Sequence, residues 1–160
     1  MKKSIFIILI CMLVFSCTKK SEETYSYTFQ ENAQLTIEPY YEGSYMKSGK
    51  VTQGNNLVFT YEYEAEDEIN IADDEYAEVI QFEIEPTLTA FSYSDNELDE
   101  IKAVYSEYCF CAFFDEEKNT SPQGTISGKK ISETQWDIAI DVTFYADNQK
   151  NISNTFRLKK

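Results

Sequence analysis

Trp136-Asp137-Ile138-Ala139-Ile140-Asp141-Val142-Thr143-Phe144-Tyr145 is the stretch that decides the fold class. From Trp136 to Phe144 every second residue is large and apolar, and Asp, Ala or Thr stands between. Successive side chains of a strand point to opposite faces, so this alternation describes a strand with one buried face. The polar turn Asp147-Asn148-Gln149-Lys150-Asn151 follows, then a further alternating run through Ile152, Phe156 and Leu158. Upstream, a strand near Gly124 to Ile131 reaches Trp136 through Ser132-Glu133-Thr134. Connections this short join antiparallel neighbours, so the last forty or so residues read as a meander.

The same signal recurs earlier. Leu57, Phe59, Tyr61 and Tyr63 share a face opposite Thr60, Glu62 and Glu64. Ile80, Phe82 and Ile84 oppose Gln81, Glu83 and Glu85. One segment differs. Ser94-Asp95-Asn96-Glu97 has the S-x-x-E form of a capping box, and Leu98, Ile101, Val104, Tyr105 and Tyr108 recur at helical spacing. These residues predict one helix from about Asn96 to Glu107. A strand through Tyr108 to Phe114, apolar on both faces and therefore central, is expected next. The expected architecture is mainly β: an antiparallel β-sandwich or open barrel with one short helix. The alternative is an α+β arrangement with a single helix on an antiparallel sheet. No repeat, Pro-rich or Gly-rich linker divides residues 25–160, which read as a single domain.

Composition narrows the function classes. The formal net charge is −14, with 28 acidic residues against 14 basic ones. That sign repels phosphate backbones, so no nucleic-acid partner is expected. Twelve Tyr and eleven Phe mark a folded chain rather than a disordered acidic one. There is no His, which removes His-based triads and imidazole metal ligands. No Gly-rich phosphate loop and no G-x-S-x-G motif is present.

Three groups of residues could carry chemistry. Cys109 and Cys111 lie two apart, on one face of the expected strand. Same-face neighbours there are roughly 6.5–7 Å apart, so a disulfide would need a local kink. Two small buried hydrophobes is the first reading of the pair and a bridge the second. Metal ligation falls behind both, since thiolate sites want three or four ligands. From Glu62 to Glu78, nine of seventeen residues are acidic. Glu66, Asp67, Glu68, Asp73, Asp74 and Glu75 flank a candidate Ca²⁺ loop, because Ca²⁺ takes six to eight oxygens from closely spaced carboxylates. The EF-hand spacing is absent, so a solvated acidic loop without a cofactor is the favoured reading. The alternating Tyr25, Tyr27 and Phe29, with Tyr40 and Tyr41, fill a β core and its edges in one reading; in the other they stack on a sugar or anchor a partner.

The N-terminus supplies the remaining clue. Met1-Lys2-Lys3 precedes eleven apolar residues, Ile5 to Phe15, and then Ser16-Cys17. As a helix that run would reach roughly 17 Å, short of a bilayer's ~30 Å core, and it has the form of a secretory leader. Val14-Phe15-Ser16-Cys17 resembles the lipobox of bacterial lipoprotein signal peptides. The resemblance covers about seventeen residues. It implies removal of residues 1–16, a diacylglycerol and a further acyl chain on Cys17, and a tether over residues 17–24. Ser21-Glu22-Glu23 also resembles the acidic export signal of Bacteroidota surface lipoproteins. Together these resemblances imply a lipid-anchored protein of the bacterial envelope, at the outer membrane, on its periplasmic or its surface side. The expected role is a non-enzymatic module that binds an envelope protein or a glycan, or a subunit of an envelope complex. The alternative is a carboxylate-based hydrolase acting on glycans, which needs two carboxylates about 5–9.5 Å apart.

Overall fold

The computed structural model describes residues 22–66 and 75–159. Among these residues nine strands form a single sheet: β1 (Thr24–Pro39), β2 (Lys47–Gln53), β3 (Asn56–Glu64), β4 (Ala77–Ile84), β5 (Ala90–Ser94), β6 (Val104–Tyr108), β7 (Gln123–Ser132), β8 (Gln135–Phe144) and β9 (Asn148–Leu158). Their lateral order is β5-β7-β8-β9-β1-β3-β4-β6, with β2 paired to β1. Every pairing is antiparallel except β1 with β9, which is parallel at Thr28–Arg157 and Phe29–Leu158. The protein is thus mainly β, an open and mostly antiparallel sheet that does not close into a barrel.

The sheet curls strongly, because its apolar face must bury itself against something and among the described residues no second sheet is present to receive it. Phe91 of β5 comes within 6.0 Å of Phe82 on β4, and Tyr105 of β6 stacks on Phe144 of β8 at 5.6 Å, ring centre to ring centre. Strands far apart in the lateral order therefore share one core. Its centre is Phe59, fully buried and ringed by Phe29, Phe82, Trp136 and Phe156 at 5.0–5.9 Å. The alternation read in β3, β4 and β8 places these side chains. Trp136, Ile138, Ile140, Val142 and Phe144 are all buried.

One irregularity shapes the rest. β1 and the β2–β3 segment form a long hairpin whose register shifts between Gln30 and Ala33. Asn32 sits there at φ 52°, a left-handed conformation that Asn tolerates, and its carbonyl accepts from Gly54 N–H at 2.9 Å. Beyond this bulge the hairpin folds over the outer face of β4 and β6. Ala33, Leu35, Val58 and Val104 make a second apolar cluster beneath it. The approach is close: a Cβ on Gly49 would fall 2.2 Å from Gln81 Oε1. For this reason Gln81 and Glu83, on the face expected to be solvated, are buried, and so is Ser106 of β6.

Two expectations are corrected. The helix spans only α1 (Glu97–Glu100), not 96–107. Glu97 does reach back to Ser94 N–H at 2.9 Å, but the helix is capped at Asn96 with no side-chain bond, so the capping box is only half formed. The chain then turns at Lys102, φ 53°, and Val104 to Tyr108 pair with β4 instead. That strand is buried on both faces, inward by the core and outward by the hairpin, so its alternation was hidden and its spacing imitated a helix. Nor does a central strand run from Tyr108 to Phe114. β6 ends at Tyr108, lies at one end of the strand order, and continues as an irregular loop.

Candidate functional site

Of the residues singled out from sequence, Cys17, Asp67, Glu68, Asp73 and Asp74 lie outside the described residues. Glu66 and Glu75 are exposed at the two ends of the β3–β4 connection, next to the Ala65 N–H to Tyr76 C=O bond of 2.8 Å. Among the described residues no group of three Cys, Asp or Glu is placed to hold a metal ion.

Cys109 and Cys111 are joined as a disulfide, with Cα atoms 5.2 Å apart. That spacing is shorter than an extended strand allows, and the chain kinks where β6 stops. Cys109 is half-buried and Cys111 exposed, so the pair is not a buried apolar one. The residue between them, Phe110, stands at the apex of the kink with 91% of its surface exposed. Phe114 is 65% exposed and packs its ring 5.1 Å from Tyr41. Beneath them Phe113 is buried against Tyr40, Tyr41 and Tyr45. An aromatic knuckle thus rests on a rigid aromatic base. The spacing Cys-Phe-Cys was its only sequence signal, and the strand reading concealed it.

The second feature is a groove of about 250 Å³ beside β2. Its floor is the outer face of β1, β3 and β4, through Thr28, Thr60, Glu62 and Gln81, and its wall is Gly49 and Val51. Leu35 gives its N–H to Glu83 Oε2 at 2.6 Å and its carbonyl accepts from Lys102 Nζ at 2.8 Å. Leu35 is therefore not in a bonded ladder position with its register partner Val51. Alternation along an antiparallel pair then turns the N–H and C=O groups of Val51 and Gly49 away from β1, towards the groove. The next such residue, Lys47, is satisfied: its N–H donates to Tyr145 Oη at 3.0 Å and its C=O accepts from Ser106 Oγ at 2.9 Å. Among the described residues nothing pairs the groove-side peptide groups of Gly49 and Val51. Sequence reasoning could not find this site, because it arises from the hairpin folding onto a distant strand.

Besides the Glu83–Lys102 pair, a second carboxylate among the described residues sits in an organised cluster. Lys150 of β9 reaches across to Glu78 of β4 at 2.7 Å and lies 4.6 Å over the Tyr105 ring, while Tyr76 Oη donates to Glu78 at 2.6 Å. Burial alone would raise the Glu78 carboxyl; the hydrogen bonds from Lys150 and Tyr76 outweigh it and hold the carboxyl below its usual range. Burial and the hydrogen bond to Glu107 push the Tyr105 phenol far up. A general acid of the glycosidase type needs a raised carboxyl, and Glu78 is moved the other way. Comparison with protein-family models, with curated proteins and with solved structures finds no match to this chain.

Proposed function

We propose that this chain is the precursor of a lipid-anchored protein of the bacterial envelope, and that its β domain is a non-enzymatic module which docks an extended segment of a protein partner. The leader and Val14-Phe15-Ser16-Cys17 support the anchor. The observation that carries the docking role is the open edge at Gly49 and Val51. Two residues on one strand each offer an unpaired donor and acceptor, above a floor that mixes Val58 and Val79 with Thr60 and Gln81. That is the arrangement strand addition uses: the backbone supplies affinity and the floor reads alternate side chains.

The test is co-purification from the native cells after detergent extraction, with the wild type, Val51→Ala and Val51→Pro. Proline removes the groove-side N–H without touching the β1 ladder. A partner held at fixed stoichiometry by the wild type and Val51→Ala, and lost at least ~10-fold by Val51→Pro with the melting temperature within about 5 °C, is the expected result. Equal recovery by all three variants contradicts strand addition. Turnover of ester, peptide or glycan substrates by the purified protein contradicts the non-enzymatic reading.

A further inference from the structure

We infer that the aromatic knuckle around Phe110 is a second membrane contact, which dips into the interface of a neutral-lipid bilayer and fixes how the anchored domain faces the membrane. The inference rests on the lipid anchor proposed above. Position carries it. Thr24 is in register with Glu64, Glu64 with Ala77, and Ala77 with Tyr108. The point where the tether enters the sheet and the point where the knuckle leaves it are thus the same end of four successive strands. Three inter-strand spacings separate them, about 14 Å. The seven steps from Cys17 to Thr24 reach at most about 25 Å. An acyl group on Cys17 therefore leaves the knuckle free to reach the lipid surface.

Exposure points the same way. Five large hydrophobic residues are conspicuously exposed among those described: Tyr25, Tyr108, Phe110, Phe114 and Ile131. Tyr25 and Tyr108 lie at the tether end, and Phe110 and Phe114 follow in the loop beyond Tyr108. Ile131 lies beside the β7–β8 turn, at the opposite end of β8 from the Tyr145 that packs on Tyr45 of the loop cluster. From Tyr108 to Phe114 no residue is charged, and the disulfide fixes the apex before any contact is made, so little is left to order on insertion. Tyr is enriched at the membrane–water boundary, and exposed Phe rings bury into the headgroup–acyl boundary.

Charge selects the lipid. Glu107, Asp115 and Glu116 flank the knuckle along a chain of net charge −14, and the nearby Lys118 is paired with Asp147, so anionic headgroups would be repelled and zwitterionic ones tolerated. A basic protein is the other occupant this charge would suit. The shared end with the tether decides for the bilayer.

The experiment uses the lipidated protein in vesicles of phosphatidylethanolamine and brominated phosphatidylcholine. The native Trp136 is wholly buried and serves as the internal reference. Phe110→Trp and Ile131→Trp each add one surface indole. The expected result is at least ~2-fold quenching of the indole added at 110, none of that added at 131, and weaker quenching once phosphatidylglycerol is included. Equal quenching at the two positions, with Cys17 shown by mass spectrometry to be acylated, overturns the knuckle contact alone and leaves that surface to a protein partner. An unmodified Cys17 overturns the anchor and the contact together.

Discussion

The ion pair beneath the hairpin should be the most informative place to perturb this protein. Glu83 Oε1 is 2.7 Å from Lys102 Nζ, and the side chains are 9% and 42% exposed. Together they satisfy both peptide groups of Leu35 and hold the hairpin over β4 and β6. Lys102→Met keeps the apolar stem but strands a buried carboxylate. Breaking a fully buried pair costs about 3–5 kcal/mol, and because the ammonium is partly in water the expected loss here is about 2–3 kcal/mol. Glu83→Gln keeps an acceptor for Leu35 N–H and removes the charge, at about 1–2 kcal/mol. In the double variant no unpaired charge remains, so its loss should fall short of the sum by at least about 1 kcal/mol. Urea unfolding followed by Trp136 fluorescence reads all three, and Lys102→Met should melt roughly 8–12 °C lower. Single losses below about 0.5 kcal/mol, or strict additivity, would refute the view that this pair clamps the hairpin.

Three further outcomes follow from the core and its titrating groups. Phe59→Ala, at the meeting point of four aromatic rings, should cost about 3–5 kcal/mol in the same urea assay. Burial pushes the Tyr61 and Tyr145 phenols up to about 12, and Tyr76 and Tyr105 further. The unfolded chain ionises near 10 and the folded one later, so stability holds below pH ~10 and falls as pH rises towards the folded values. The tyrosinate absorbance of these four phenols should then appear together with unfolding. Glu78 has the opposite sign: its carboxyl is held below its ordinary value, so its contribution is present above the pKa of the unfolded carboxyl and lost as pH falls through the folded value. Lys150→Met should flatten the acid limb of a melting-temperature profile.

How much of this was legible in the sequence depends on where each side chain's partner comes from. β3, β4 and β8 declare themselves because one face meets the core and the pattern is local: Phe59, Phe82 and Trp136 needed only their own neighbours to be placed. β6 was illegible for the complementary reason. Val104 is buried under the hairpin and Tyr105 in the core, so both faces are apolar and the period-two signal vanishes. Gln81 and Glu83 were read as solvated because nothing near them in sequence tells of Gly49 or Leu35 lying over them. The cysteines were visible, but the tip they make depends on β6 ending at Tyr108.

The build of β2 also limits what the open edge can do. A long exposed strand edge is a template for unwanted pairing, and proteins blunt it with charge, covering or brevity. All three act on β2. Lys47 and Lys50 carry charge along it, Ser106 and Tyr145 occupy the groove-side peptide groups of Lys47, and only those of Gly49 and Val51 remain open. A partner strand therefore gains few backbone bonds. At about 0.5–1.5 kcal/mol net for each, such pairing is weak by itself. It becomes effective where both partners are held on one membrane, because confinement raises their effective concentration without a new contact. A short open edge is then suited to an anchored protein and poorly suited to a free one. The docking and anchoring proposals predict the same dependence: removing the acyl group should loosen the partner even though no residue of the groove has changed.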